Sequence, residues 1–388
     1  MRLDRDDLCA RLEPLFHENF DKHGELGAAV SVWQNGKPVV DLHGGFKDAH
    51  REEAWNADTL VLIWSATKGV GSACLLHVLQ EHKIDISCCV AEFWPEFAHA
   101  GKDKITLAQL LSHQAGLAAL DHRVGILDYP AVVKALEGQA PNWMPGAAHG
   151  YHARTFGFLL DELVRRIAGM PVAEYWRKSF ADPLRLDVWI GLPAELNSRV
   201  ATTYAAKSGK TPEPQQFYRD LATPGTFARK VFSSPHGLNA VSAMNKPESR
   251  AQPLVSFGGI ATARALAKFY AMLANGGAIE DRQFFNAQTL QWMQTTLSDG
   301  IDRVFGIPTA FSSGFMKDPH ANLTGLTSQV CRPLFGTSSS AFGQPGAGGS
   351  HAFADPENGI AFAYVMNQME QSVRPNEKSL RLVDAIYL

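Results

Sequence analysis

Leu8, Leu12, Leu15 and Phe16 recur at helical spacing among Arg2, Asp4, Arg5, Asp6, Asp7 and Glu13, which predicts an amphipathic helix over 1–20. Two β-type runs follow, 28–33 and 38–42, separated by Gln34-Asn35-Gly36-Lys37. Asn-Gly suits the positive φ angles of a tight hairpin turn, so an antiparallel sheet begins here. A short apolar run over 59–64 leads into 65–80, where Val70, Ala73, Cys74, Leu75, Leu76, Val78 and Leu79 leave almost no polar face. A helix of that composition has to be buried on most sides.

Thr106-Leu107-Ala108-Gln109 has the spacing of a capping box and opens a helix expected to end near Gly116. Phe158, Leu160, Leu163, Val164 and Ile167 form the apolar stripe of another helix, and the region from about 70 to 190 reads as mostly helical. Residues 207–253 are rich in Pro, Ser, Gly and Thr, and are expected to be long loops with short ordered pieces of the kind that line sites. Thr262 caps a helix that stops at Asn275-Gly276-Gly277. Residues 351–354 and 360–367 flank Asp355-Pro356-Glu357-Asn358-Gly359 as a second hairpin, and a helix over 377–387 closes the chain. The expected class is α+β, an antiparallel sheet flanked by helices. Residues 1–70 and 250–388 form a discontinuous sheet domain, and 71–249 are inserted as a mostly helical domain with long loops.

With 388 residues, 45% hydrophobic and 19% charged, the chain is long enough for two lobes around a large core. Its 36 basic and 39 acidic residues give a net charge of -3, which supplies no polyelectrolyte signal for nucleic acid or an anionic membrane. Cys9, Cys74, Cys88, Cys89 and Cys331 are odd in number and sparse, so reduced thiols are expected. No run of about 18 apolar residues and no export-type leader is visible, and a cytoplasmic location is the expectation. None of the 14 histidines forms His-Glu-x-x-His, and neither a metal nor a cofactor is expected.

The chemistry concentrates at Ser65-Ala66-Thr67-Lys68, where one helical turn brings a hydroxyl and an amine onto one face. A serine hydroxyl becomes a strong nucleophile only when a neighbouring base accepts its proton, and a lysine does this when burial lowers its pKa. The helix N-terminus adds a backbone N–H and a positive dipole end beside the reacting carbonyl. Ser65 is the only serine followed by a lysine three positions later, and it lies at a strand-to-helix junction. No Gly-x-Ser-x-Gly is present, which argues against an α/β-hydrolase elbow.

Ser65-Ala66-Thr67-Lys68-Gly69 resembles the nucleophile motif of the serine β-lactamase and penicillin-binding-protein superfamily, in its class C-like branch with the family VIII carboxylesterases. Leu110 to Leu117 looks like its structural block, and Pro145-Gly146 to Tyr151-His152-Ala153 is similar to the segment that holds its tyrosine. Phe342-Gly343-Gln344-Pro345-Gly346-Ala347-Gly348-Gly349-Ser350 resembles its third motif. The matches run in the family's order from about residue 25 to about residue 367. The resemblance implies a β-lactamase/transpeptidase-like fold and an acyl-enzyme on Ser65. Lys68 and Tyr151 would share the base role, with the phenolate held by the ammonium. It also implies an oxyanion hole from the N–H groups of Ser65 and Ala347, and substrate contacts from Gln344 and Gly346. Beside these, His152 and Trp143 are expected to touch substrate, and His113 to be a structural hydrogen-bonding residue.

Two departures bear on specificity. Gln344 stands where relatives commonly carry Lys or His, so it cannot supply charge to a substrate carboxylate, and Ala153 replaces an amide. Both favour a neutral small-molecule ester as substrate. A β-lactamase or D-Ala-D-Ala peptidase, an acyltransferase to an alcohol or amine, and a non-catalytic binding module stay open as alternatives, and oligomeric state is undetermined.

Overall fold

A computed structural model describes residues 1–207, 213–320 and 332–388. Arg5–Lys22 (α1) begins at Asp4, whose carboxylate accepts from the N–H groups of Asp6 and Asp7. Gly27–Gln34 (β1) and Lys37–Gly45 (β2) meet at Asn35 and Gly36, both at positive φ, 51° and 72°. This is the turn geometry expected from the Asn-Gly pair.

Val61–Trp64 (β3) runs into Thr67–Glu81 (α2), and Phe156–Ala168 (α3) packs along it. Val188–Trp189 (β4) and Gly259–Ala261 (β5) complete a small antiparallel sheet in the order β3-β5-β4. Ala263–Ala274 (α4) starts at Thr262, which accepts from Ala265 N–H, and stops at Asn275 as expected. Ala278–Ile279 (β6) and Arg282–Gln283 (β7) pair beyond it. The remaining strands are Ser298–Ile301 (β8), Pro308–Phe311 (β9), Met316–Lys317 (β10), Phe342–Gly343 (β11), His351–Asp355 (β12) and Ile360–Met366 (β13). Glu377–Ile386 (α5) ends the chain.

Among the described residues the main sheet has eight strands in the order β2-β1-β13-β12-β11-β10-β9-β8, with every pair antiparallel. The chain's first strands therefore lie beside its last, as the two hairpins implied. Alternate side chains sort the two faces. Val30, Val32, Phe362 and Tyr364 pack with Leu8, Leu12, Phe16, Leu382 and Ile386 of α1 and α5. Ala29, Ala361, Ala363 and Val365 face Leu266, Phe269 and Tyr270 of α4. Small residues on that second face let α4 lie close to the strands.

Three expectations change in detail. The helix over 65–80 begins at Thr67, so Ser65 and Ala66 form a turn ahead of it. The helix after Thr106 keeps its capping box but stops at Leu111, because His113 turns to a positive φ of 60°. The described part of 207–253 is more ordered than loops, with short helices at Gln215–Ala222, Phe227–Ser233, Val241–Met244 and Pro247–Arg250. Cys9, Cys74, Cys88 and Cys89 are free thiols, and Cys331 lies outside the described residues. No helix among the described residues is long and apolar enough to cross a membrane.

The close seat of α4 has a measurable consequence. Ala363 is fully buried. Ala363→Leu should overpack the seam and destabilise the fold by about 1–3 kcal/mol. A chemical-denaturation midpoint unchanged from wild type would show that the seam has room.

Candidate active site

The nucleophile's position is set by a sharp turn. Trp64, the last residue of β3, takes a positive φ of 50°. That conformation is costly for a side chain as bulky as indole. Thr67 holds it in place: its hydroxyl donates to Trp64 O at 2.5 Å and accepts from Gly259 N–H at 2.8 Å. The strand, the turn and β5 are thus tied at one atom, and half-buried Ser65 is left at the mouth of α2.

Lys68 is fully buried in the first turn of that helix. Its Nζ lies 3.2 Å from Ser65 Oγ, 2.9 Å from Ala153 O and 2.7 Å from Ser256 O. A neutral amine in this setting gives its two N–H groups to the two carbonyls and turns its lone pair to the serine hydroxyl. Burial pushes the Lys68 pKa well below the ordinary lysine value, and the Arg154 guanidinium pushes the same way. The positive end of α2 also opposes an ammonium there. Among the described residues no carboxylate is paired with Lys68.

Tyr151 is buried beside it, with the Lys68 amine 4.8 Å from the ring centroid. Gln344 Nε2 donates to the phenol oxygen at 3.2 Å, which leaves the phenol's own hydrogen free to donate elsewhere. Burial raises the Tyr151 pKa well above that of an ordinary phenol. Contacts with Ser65 and Gln344 oppose the rise, and the nearby Asp302 carboxylate adds to it. Burial thus opposes the resting phenolate implied by the resemblance, because the low-dielectric setting penalises the anion.

The third motif reaches Ser65 through a close approach. A Cβ on Gly346 would fall 2.2 Å from Ile63 O, so only glycine lets this segment lie against the end of β3. Gly346 N–H donates to Ser350 O at 2.7 Å and Gly346 O accepts from Gly349 N–H at 3.3 Å, which ties both backbone groups to the loop. Ala347, half-buried, is the next residue, and among the described residues no backbone acceptor takes its N–H or that of Ser65.

The structure gives other expected substrate contacts different work. His152 is fully buried; its Nδ1 donates to Gly150 O at 2.7 Å and its Nε2 accepts from Leu117 N–H at 2.8 Å. Burial pushes its pKa down to about 4, so it is a neutral strut with no free nitrogen for substrate. Trp143 donates its indole N–H to Ala148 O at 3.0 Å and meets His152 and Phe227 edge-on. Gln344, 1% exposed, faces Tyr151 instead of open solvent. His113 accepts from His152 N–H through Nδ1 at 3.2 Å and lies against Tyr151, Phe156 and Phe311.

Three residues at the site were not singled out from the sequence. Ser256 accepts Lys68 through its carbonyl, while its hydroxyl donates to Arg154 O and accepts from Gly157 N–H, both at 2.7 Å. Arg154 is anchored by Phe232 O, Gly237 O and Asn239. Asp302 accepts from the backbone N–H of Tyr151. None of them sits in a motif. For Asp302 the one local signal is an Asp followed two residues later by backbone donors, a common turn pattern.

The β-lactamase family model matches residues 12–385. An esterase/β-lactamase, LipL, from Mycobacterium tuberculosis is 30% identical over 360 residues, covering 88% of this chain and 77% of that protein. A penicillin-binding protein homologue from Caulobacter crescentus superposes with a TM-score of 0.85 at 32% identity, covering 100% of this chain and 98% of the other. A family VIII carboxylesterase does so with a TM-score of 0.81 at 33% identity, covering 98% and 97%. The chain belongs to the β-lactamase family, as a hydrolase of its esterase-like kind.

Proposed function

We propose that this protein hydrolyses small to medium neutral carboxylic esters through an acyl-Ser65 intermediate. The observation that carries the reading is the buried Lys68 amine, with two carbonyls on its N–H groups and Ser65 Oγ at 3.2 Å. Lys68 takes the Ser65 proton as Oγ attacks the ester carbon, and the developing oxyanion is met by the N–H groups of Ser65 and Ala347. The departing alkoxide takes the Tyr151 proton, which the Lys68 ammonium, 4.8 Å from the ring centroid, then replaces. In deacylation water gives its proton to the same pair, and Ser65 Oγ recovers one as the acid leaves.

Neutral substrates fit the surroundings. Gln344 carries no charge and spends its amide on Tyr151, and Ala153 offers Lys68 only its carbonyl. An esterase/β-lactamase among the relatives supports β-lactam hydrolysis as a second reading. A panel of p-nitrophenyl and alkyl esters run beside a chromogenic cephalosporin separates the two. A cephalosporin kcat/KM above that of every ester would overturn the first.

Ser65→Ala should abolish ester turnover and labelling by a fluorophosphonate while leaving the circular dichroism spectrum unchanged. Near wild-type turnover in that variant would end the acyl-serine mechanism. Lys68→Ala and Tyr151→Phe should each lower kcat by at least about 100-fold. Their combined loss should fall short of the product, because the two groups pass one proton between them.

The rate should also depend on pH through Lys68. Because burial lowers its pKa well below the ordinary lysine value, the amine becomes available as base below that range, and activity is lost as pH falls through the depressed value and Lys68 becomes protonated. The rising limb of kcat/KM should therefore lie well below the ordinary lysine range. A limb near pH 10 would mean that Lys68 rests as an ammonium.

A further inference from the structure

We infer that Asp302 is a positioning residue for Tyr151, holding the phenol in its proton-transfer position from the backbone side. The two residues are 151 positions apart, and Asp302 is fully buried. Both carboxylate oxygens face Tyr151 N–H, Oδ2 at 3.0 Å and Oδ1 at 3.3 Å, and each has further donors. Oδ1 accepts from Val304 N–H at 2.7 Å and Phe305 N–H at 3.0 Å, which folds the turn that follows β8. Oδ2 accepts from Tyr151 N–H at 3.0 Å and from the Thr309 hydroxyl at 3.1 Å. Thr309 in turn is 2.8 Å from His149 Nε2, so the carboxylate ties the Tyr151 segment to β9 as well.

The same turn also supports the ring. Phe305, placed by Oδ1, stacks on Tyr151 with centroids 5.0 Å apart and planes 26° from parallel. Phe311 of β9 stacks beyond it at 6.2 Å. A Cβ on Gly150 would come within 3.3 Å of both Arg303 and Val304, so the turn and the tyrosine segment are in contact with no room for a side chain between them. Asp302 thus fixes the main chain of Tyr151 and one face of its ring through one carboxylate. A small misplacement of a proton-transfer group costs up to about 100-fold in rate, which is the scale on which such a support acts.

This inference rests on the role given to Tyr151 above, and the experiment keeps the two apart. Asp302→Asn is the informative change, because an amide oxygen can keep the Val304 and Phe305 bonds while its nitrogen cannot accept, which removes the shorter of the two bonds from Tyr151 N–H and leaves only the 3.3 Å contact. Asp302→Ala removes all of these bonds and serves as the comparison for folding. Steady-state kinetics on a p-nitrophenyl ester and fluorophosphonate labelling of Ser65 are measured for wild type, Asp302→Asn, Tyr151→Phe and the double variant. The expected result is a kcat lowered by about 10-fold to 100-fold in Asp302→Asn, with KM little changed and Ser65 still labelled. In the Tyr151→Phe background the same change should cost no more than about two-fold. Wild-type kcat in Asp302→Asn beside an impaired Tyr151→Phe would overturn the positioning role alone. So would an equal loss in both backgrounds, or loss of labelling together with kcat. Wild-type turnover in Tyr151→Phe would overturn the role of the tyrosine, and this inference with it.

Discussion

An amine buried without a carboxylate is the constraint around which this site is arranged. Taking Lys68 out of water beside the N-terminus of α2 removes the usual reasons for a lysine to stay charged. The anchored Arg154 nearby removes another. What remains is an amine biased towards its neutral form, held by Ala153 O and Ser256 O and facing Ser65 in its third direction. Each carbonyl comes from a different segment, so the base exists only where α2, the Tyr151 segment and the loop before β5 meet.

Other buried lysines in the same chain show how much the partners matter. Lys102 is enclosed by the carbonyls of His99, Glu137 and Gln139, and burial lowers its pKa only to about 8, with Glu137 opposing the shift. Lys317 bonds Ser339 O and Ala341 O and also stands at about 8, with Asp318 opposing. Lys378 is buried against the Glu25 carboxylate at 3.2 Å, an ion pair that pins α5 to the start of β1. Each of these lysines has an acid in its surroundings and a carbonyl or carboxylate framework to hold. Lys68 differs in facing a hydroxyl, with a cation as its charged neighbour.

Tyr151 completes the site under the same low-dielectric rule. An anion is penalised there as a cation is, so burial biases both groups towards their neutral forms. Gln344 orients the phenol from the third motif, donating to the phenol oxygen and turning its hydrogen away. Gly346, packed on Ile63 O, holds that motif close enough for Gln344 to reach. Substitution of a neutral amide at position 344 thus bears on the tyrosine as much as on substrate charge.

The sequence by itself determined a good deal: the Asn35-Gly36 hairpin, the mostly apolar helix behind Ser65, the Thr262 cap and the pairing of the chain's two ends in one sheet. These follow from short-range rules, since turn φ angles, capping spacing and face periodicity are set within a few residues. Ser65 and Lys68 were legible for the same reason, being one helical turn apart, and Tyr151 and the Gln344 segment were legible only through motif resemblance. Only the tertiary structure decided that both ring nitrogens of His152 are bonded within the fold, that Trp143 packs on His152 and Phe227, and that Asp302, Ser256 and Arg154 lie beside Tyr151 and Lys68. Burial and hydrogen-bond partnership between residues 35 to 188 positions apart depend on how the sheet and helices close on one another, and no local pattern records that.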